Sequence, residues 1–176
     1  HFFDPHYDFH PPPKVKRAFV DPAYTGPITG EGVSGSPDVH AGMPEADLRQ
    51  LVSLYDAEIR WTDQNLATVI SALESSDRIG ETIVVVTGDH GEEFFEAERF
   101  GHRMTLREEV LRIPLIFWGP GLIPEGEVID DDVALYDVLP TLMDYAGIDP
   151  DPKIYGRSLR PLIEGRSLPP RLSTSS

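Results

Sequence analysis

The chain has 176 residues, a length that fits one ordinary domain and is enough to bury a hydrophobic core. Thirty Asp and Glu against fifteen Lys and Arg leave a net charge of -15, a field that repels nucleic acid and anionic bilayers. Apolar residues at 40% and charged residues at 26% are those of a globular protein, and the absence of cysteine excludes disulfides, thiolate zinc sites and cysteine nucleophiles.

The chain opens on His1-Phe2-Phe3-Asp4-Pro5-His6-Tyr7, which reads as the end of a strand running into a loop. No basic and apolar leader follows, and no apolar run approaches the roughly 20 residues of a membrane span. The other end, from Leu168 to Ser176, closes on no recognisable element. These two ends lead to the expectation of a piece of a longer protein, truncated on both sides.

Residues 10–44 carry Pro11-Pro12-Pro13 and a succession of glycines and prolines up to Pro44, which prevents regular structure and predicts a long surface loop. Over 44–77 the pattern becomes helical. Leu48, Val52, Tyr55, Ile59, Thr62, Leu66, Val69 and Leu73 alternate steps of four and three, which draws one mostly apolar stripe along a long helix. Pro44 suits its first turn, and Glu45 and Asp47 favour its positive end.

Residues 82–118 hold two predicted strands with a loop between them. Ile83-Val84-Val85-Val86 is β-branched throughout, the signature of a strand buried on both faces in a parallel sheet. Ile113 to Trp118 is the second, with Pro114 near its start. Residues 133–146 form a further helix, with Asp137 as N-cap, Pro140 in the first turn and Gly147 just past the end. The order of helices and strands predicts an α/β layered architecture, a mostly parallel sheet flanked by helices.

In such folds ligands bind beyond the carboxyl ends of strands, and there the sequence reads Gly88-Asp89-His90-Gly91. A carboxylate oxygen next to an imidazole nitrogen makes a reasonable metal corner. The residues alone leave a second reading open, in which Asp89 caps a turn and His90 is a loop histidine. His6, after the stiff Asp4-Pro5, and His102, in the connection before the second strand, are the other candidates, because imidazole exchanges protons near neutral pH. His1 and His10 are read as ordinary solvated histidines.

Five segments together resemble the sulfatase family of the alkaline-phosphatase-like superfamily: Asp4-Pro5-His6-Tyr7, Thr87 to Glu92, Gly101 to Glu109, Arg112 to Ile116 and Gly156 to Leu162. They run in register along nearly the whole chain, which makes 1–176 a partial sulfatase-like catalytic domain. The resemblance implies that Asp89 and His90 are ligands of a divalent metal, usually Ca2+, with Mn2+ or Zn2+ in related enzymes. It implies that His6 and His102 are catalytic and contact the sulfate. Arg107 departs from the pattern, since many relatives have Tyr there. The family's formylglycine nucleophile arises in a Cys/Ser-x-Pro-x-Arg motif near the N-terminus; the chain has no cysteine and its one Ser-x-Pro-x-Arg string, Ser167 to Arg171, stands at the opposite end, so the nucleophile is expected in an upstream segment.

The implied activity is metal-dependent hydrolysis of sulfate esters by the parent enzyme, with a small-molecule or carbohydrate sulfate ester as substrate. The isolated chain is expected to be inactive. Family habit favours a periplasmic or secreted location. Two alternatives stand beside this reading: a phosphodiesterase, phosphonate monoester hydrolase or phosphoethanolamine-type transferase of the same superfamily, and a non-catalytic acidic binding module.

Overall fold

The computed structural model describes residues 1–103 and 105–170; Met104, inside the 101 to 109 motif, and the chain from Arg171 onward lie outside the described residues. In chain order the elements are α1 (Pro13–Lys16), α2 (Glu45–Glu74), β1 (Val84–Thr87), β2 (Glu93–Phe94), β3 (Phe100–Gly101), α3 (Glu108–Leu111), β4 (Leu115–Trp118), α4 (Val138–Tyr145) and α5 (Arg160–Ile163). Short 3₁₀ turns precede β1 and α4. No helix among the described residues is long and apolar enough to cross a membrane. The chain divides into two compact units, both discontinuous in sequence: His1–Asp77 with Gly88–Pro114, and Arg78–Thr87 with Leu115–Ser176.

The first unit is organised by α2, whose 30 residues fall within the predicted 44–77, with Pro44 just before the helix instead of in its first turn. Its buried face is Asp47, Gln50, Leu51, Leu54, Ala57 and Glu58, which is offset from the predicted stripe. Leu48 and Tyr55 are half-buried beside that face, whereas Ile59 and Val69 are 45% and 47% exposed. The offset arises because the N-terminal segment and the 10–44 connection pack along one side of the helix, bringing Phe9, Ile28, Val33 and Met43 against Leu51 and Leu54. Each such side chain contributes roughly 1.5–3 kcal/mol when fully buried.

That packing corrects the reading of 10–44 as surface loop. Ile28, Val33 and Met43 are core residues, and Pro13–Lys16 is helical with Val15 buried. The Phe9 backbone N–H donates to the Gly30 carbonyl at 3.0 Å. Gly30 sits at φ +100°, and a Cβ there would meet the Phe9 carbonyl oxygen at 2.2 Å, so only glycine allows the two backbones to lie together. Asp8 Oδ1 accepts the Val33 N–H at 2.7 Å, and Tyr24 donates its hydroxyl to Asp47 on α2 at 2.6 Å. Gly and Pro shape the path of this segment, and spaced apolar residues anchor it. The predicted strand end at residues 1–7 is irregular instead.

In the second unit β1 and β4 pair antiparallel, with Val84 opposite Trp118 and Thr87 opposite Leu115. The expectation of a parallel arrangement is therefore not met among the described residues, whose only other pair, β2 with β3, is also antiparallel. A continuous run of β-branched residues encodes a strand and its burial, not the direction of its neighbour. Burial is also less complete than expected: β1 is half-buried to Val86, and Ile116 on β4 is 53% exposed, because a two-stranded sheet has too few covering layers.

The unit's core is Ile123, Leu159, Leu162 and Ile163 with Ile83, Leu115 and Phe117 against them. The 156 to 162 segment owes its form to α4 and the turn before it. Asp137 is fully buried, yet its side chain does not cap α4: Oδ2 accepts the Ala134 N–H at 2.9 Å and Oδ1 accepts the Arg157 N–H at 3.0 Å. Thr141 Oγ1 accepts the Leu159 N–H at 2.8 Å, and Ser158 donates to Asp144 Oδ2 at 2.6 Å. Gly147 follows the helix at φ +67°, the left-handed termination its position predicts.

Candidate functional site

All four residues singled out in the sequence, His6, Asp89, His90 and His102, belong to the first unit. The His90 and His102 rings stack with centroids 3.9 Å apart. The His6 ring meets that of His102 edge-on at 5.9 Å, and Tyr7 lies over His102 at 5.7 Å. His90 Nε2 lies 3.9 Å from Asp89 Oδ1. Segments 84 and 96 residues apart in sequence thus deliver three imidazoles and a carboxylate to one place. His1 and His10 stay outside this group of rings, as read.

The local chain explains each placement. Asp4 to His10 is tied to α2 at both ends: Thr62 donates its hydroxyl to the Asp4 carbonyl at 3.1 Å, and Glu58 Oε1 accepts the His10 N–H at 2.6 Å. Gly91 places His90 because its N–H donates to the Val110 carbonyl at 2.7 Å, and a Cβ on it would lie 2.1 Å from the Glu109 carbonyl oxygen. The β2–β3 pairing sets Glu93 against Gly101, which brings His102 back to the Gly88–Glu92 segment.

The three rings share one feature of their bonding. His6 Nδ1 is 2.5 Å from the Tyr7 carbonyl, His90 Nδ1 is 2.9 Å from the Gly91 carbonyl, and His102 Nδ1 is 3.2 and 3.3 Å from the two Glu92 oxygens. Carbonyl and carboxylate oxygens only accept, so each ring carries its Nδ1 hydrogen inward and leaves Nε2 for another partner.

Glu92 and Glu58 are functional-looking groups that sequence reasoning missed. The Glu92 side chain is 4% exposed; burial raises its pKa, and His102, then His90 and His6, work against that rise. Glu58 is 2% exposed and is pushed up to about 7 by burial, with the His10 N–H pulling the other way. In an acidic chain a glutamate reads as a solvated one; the only available signal was that Glu92 stands in the Thr87 to Glu92 motif and Glu58 on the helix face of Leu51 and Leu54.

Asp89 and His90 have the chemistry of a partial cation site. The Asp89 side chain is 85% exposed, and His90, held through Nδ1, offers Nε2 beside it. A hard oxygen with an oriented imidazole suits a divalent ion. Among the described residues no group of three or more His, Cys, Asp and Glu side chains is placed to hold a metal, so this pair would be part of a donor set.

Residues 1–148 match the sulfatase family model. Arylsulfatase K of Xenopus laevis is 36% identical over 127 residues, which is 72% of this chain and 23% of that protein. The chain thus spans about a quarter of the length of the curated relatives it matches. A solved structure of a protein in complex with its substrate D-glucosamine-2-N,6-O-disulfate aligns at a TM-score of 0.63 and 30% identity, covering 70% of this chain and 26% of that one. A phosphonate monoester hydrolase from Silicibacter pomeroyi aligns at a TM-score of 0.69 and 26% identity, covering 90% and 31% respectively. The family match takes in His6, Asp89, His90 and His102 alike, and the chain belongs to the sulfatase family.

Proposed function

We propose that the protein containing this chain hydrolyses sulfate esters, and that these residues supply part of its metal and sulfate site. The observation that carries the reading is the gathering of His6, His90 and His102 in one compact unit, each held through Nδ1, with Asp89 beside them. Asp89 and His90 would hold a divalent cation, with Ca2+ the expected ion and Mn2+ or Zn2+ the alternatives. When bound, that ion supplies positive charge against the sulfate oxygens.

His6 and His102 are the sulfate-contacting residues. With a second hydrogen on Nε2, as in the imidazolium, the ring donates to a sulfate oxygen and stabilises charge there, or passes that Nε2 proton to the departing alkoxide and remains neutral with its hydrogen on Nδ1. The Nδ1 contacts keep both rings from rotating away during this work. The nucleophile is contributed by a residue outside the 176, a formylglycine in the family pattern, since the chain has no Cys and its one Ser-x-Pro-x-Arg string, Ser167 to Arg171, follows the Asp89-His90 pair where the family pattern has the motif precede it. The substrate class is a small-molecule or carbohydrate sulfate ester, a choice supported by the sulfated sugar bound to one structural relative. A larger, mostly parallel sheet in the whole protein and a periplasmic or secreted location complete the proposal.

A second reading, phosphonate monoester or phosphodiester hydrolysis, is favoured by the Silicibacter pomeroyi enzyme, whose likeness covers 90% of this chain. The full-length enzyme distinguishes them when assayed with an aryl sulfate, an aryl phosphonate monoester and an aryl phosphodiester. Preferred turnover of the sulfate supports the proposal, and preferred turnover of either phosphorus ester moves the assignment to the second reading. Asp89→Ala and His90→Ala should each abolish turnover in soluble protein; near-normal rates would remove the metal assignment.

A further inference from the structure

We propose that Glu92 is the positioning residue for His102, fixing its Nδ1 hydrogen so that Nε2 is the nitrogen offered to substrate. The inference deepens the hydrolase reading and rests on it. Its geometric basis lies within the first unit. Both Glu92 oxygens lie 3.2–3.3 Å from His102 Nδ1, the Glu92 side chain is 4% exposed, and that of His102 is 19% exposed.

A buried carboxylate without a charged or donating partner is costly, and here the imidazole is the hydrogen-bond partner it faces. The contact is also what separates His102 from the other two rings. His6 and His90 are held by the carbonyl of the residue that follows each of them, a bond any residue type at that next position would offer. His102 is held by a side chain ten positions earlier, so its orientation depends on one residue's identity.

The surrounding packing agrees with this role. His102 is stacked against His90 on one side and Tyr7 lies over it, so ring position is fixed by contact. Stacking fixes the plane of a ring but not which of its nitrogens bears hydrogen; an acceptor in the plane is needed for that. Glu92 is that acceptor. Because it contacts no substrate in this reading, its effect on rate passes through His102 and should disappear when His102 is gone.

The test uses the full-length enzyme labelled with 15N histidine. In the wild type, long-range proton–nitrogen correlation should show the His102 hydrogen on Nδ1; a hydrogen on Nε2 alone overturns the proposal, whether or not any variant folds. Glu92→Leu should move that hydrogen and lower kcat by about 10–100-fold with KM changed less than about threefold, the range typical of residues that orient an active-site imidazole. Glu92→Gln, which keeps an acceptor oxygen, should recover most of the rate. On a His102→Ala background Glu92→Leu should cost under about threefold, and an equal loss on both backgrounds overturns the proposal. If the wild type turns over no sulfate or phosphorus ester, the hydrolase reading fails separately, and the nitrogen spectrum still decides the Glu92 contact.

Discussion

Glu58 Oε1, on the buried face of α2, accepts the backbone N–H of His10 at 2.6 Å and so ties the segment that carries His6 to the longest helix of the chain. Its Oε2 is buried with no hydrogen-bond partner. A protonated carboxyl suits that position better than a carboxylate, which is why burial, reinforced by Asp4, pushes its pKa up to about 7 against the pull of the His10 and His6 backbone groups.

The sign of the resulting pH dependence follows. The folded state holds this proton more tightly than the unfolded chain, whose ordinary value is 4.5, so the stabilisation is fully present below 4.5 and is lost as pH rises through about 7. Thermal melts of wild type and Glu58→Gln at pH 5 and pH 8 should show a larger fall in Tm for the wild type. Gln keeps the oxygen that accepts from His10 but cannot ionise. Equal falls in the two proteins would mean that Glu58 is solvated when charged.

Gly91→Ala should damage the site without touching a functional side chain. The added methyl would sit 2.1 Å from the Glu109 carbonyl oxygen, a backbone atom that cannot swing away. The 88–92 segment must then move off the α3 turn, breaking the Gly91 N–H bond to Val110 and carrying Asp89 and His90 with it. Overpacking of this kind costs about 1–3 kcal/mol, and the expected kinetic result is a large loss of kcat at temperatures where the protein is still folded. Full activity in folded Gly91→Ala would show that the metal corner tolerates displacement.

Legibility in the sequence followed the range of the interactions involved. The α2 helix, the strands around Val84 and Leu115, and the termination at Gly147 depend on propensity and short-range pattern, and all were readable. The convergence of His6, Asp89, His90 and His102 came from family motifs in register, since no spacing rule relates residues 96 apart. What escaped was set by long-range packing: the core roles of Ile28, Val33 and Met43 among turn residues, the antiparallel partner of β1, and the burial of Glu58, Glu92 and Glu93, whose type ordinarily marks solvent.

Calcium titration of the 176-residue chain by calorimetry should detect no submicromolar site. Calcium takes roughly six to eight oxygen ligands, whereas Asp89 and His90 bring one carboxylate and one imidazole, with no third ligating side chain among the described residues. Far-UV circular dichroism of the same sample, showing the α2 signal, establishes that the chain under test is folded. Submicromolar binding would mean that donors outside this pair complete the site within the chain.

Arg107, where many sulfatases carry Tyr, should prove a stability residue. Its Nε lies 3.2 Å from Oε1 of Glu93, a side chain only 1% exposed, and the same guanidinium donates to Glu109. Glu93 Oε1 has no hydrogen bond of good geometry, so the guanidinium's charge is its compensation. Arg107→Ala would leave the buried Oε1 of Glu93 without its ion-pair partner, a loss of about 1–3 kcal/mol by urea denaturation. Glu93→Gln in the Arg107→Ala background should return part of that loss, because the buried group is then neutral. An ordinary surface ion pair behaves differently: removing the arginine costs well under about 1 kcal/mol, and neutralising the partner gives nothing back. The second substitution therefore separates the two accounts, and no recovery would place Arg107 among the surface pairs.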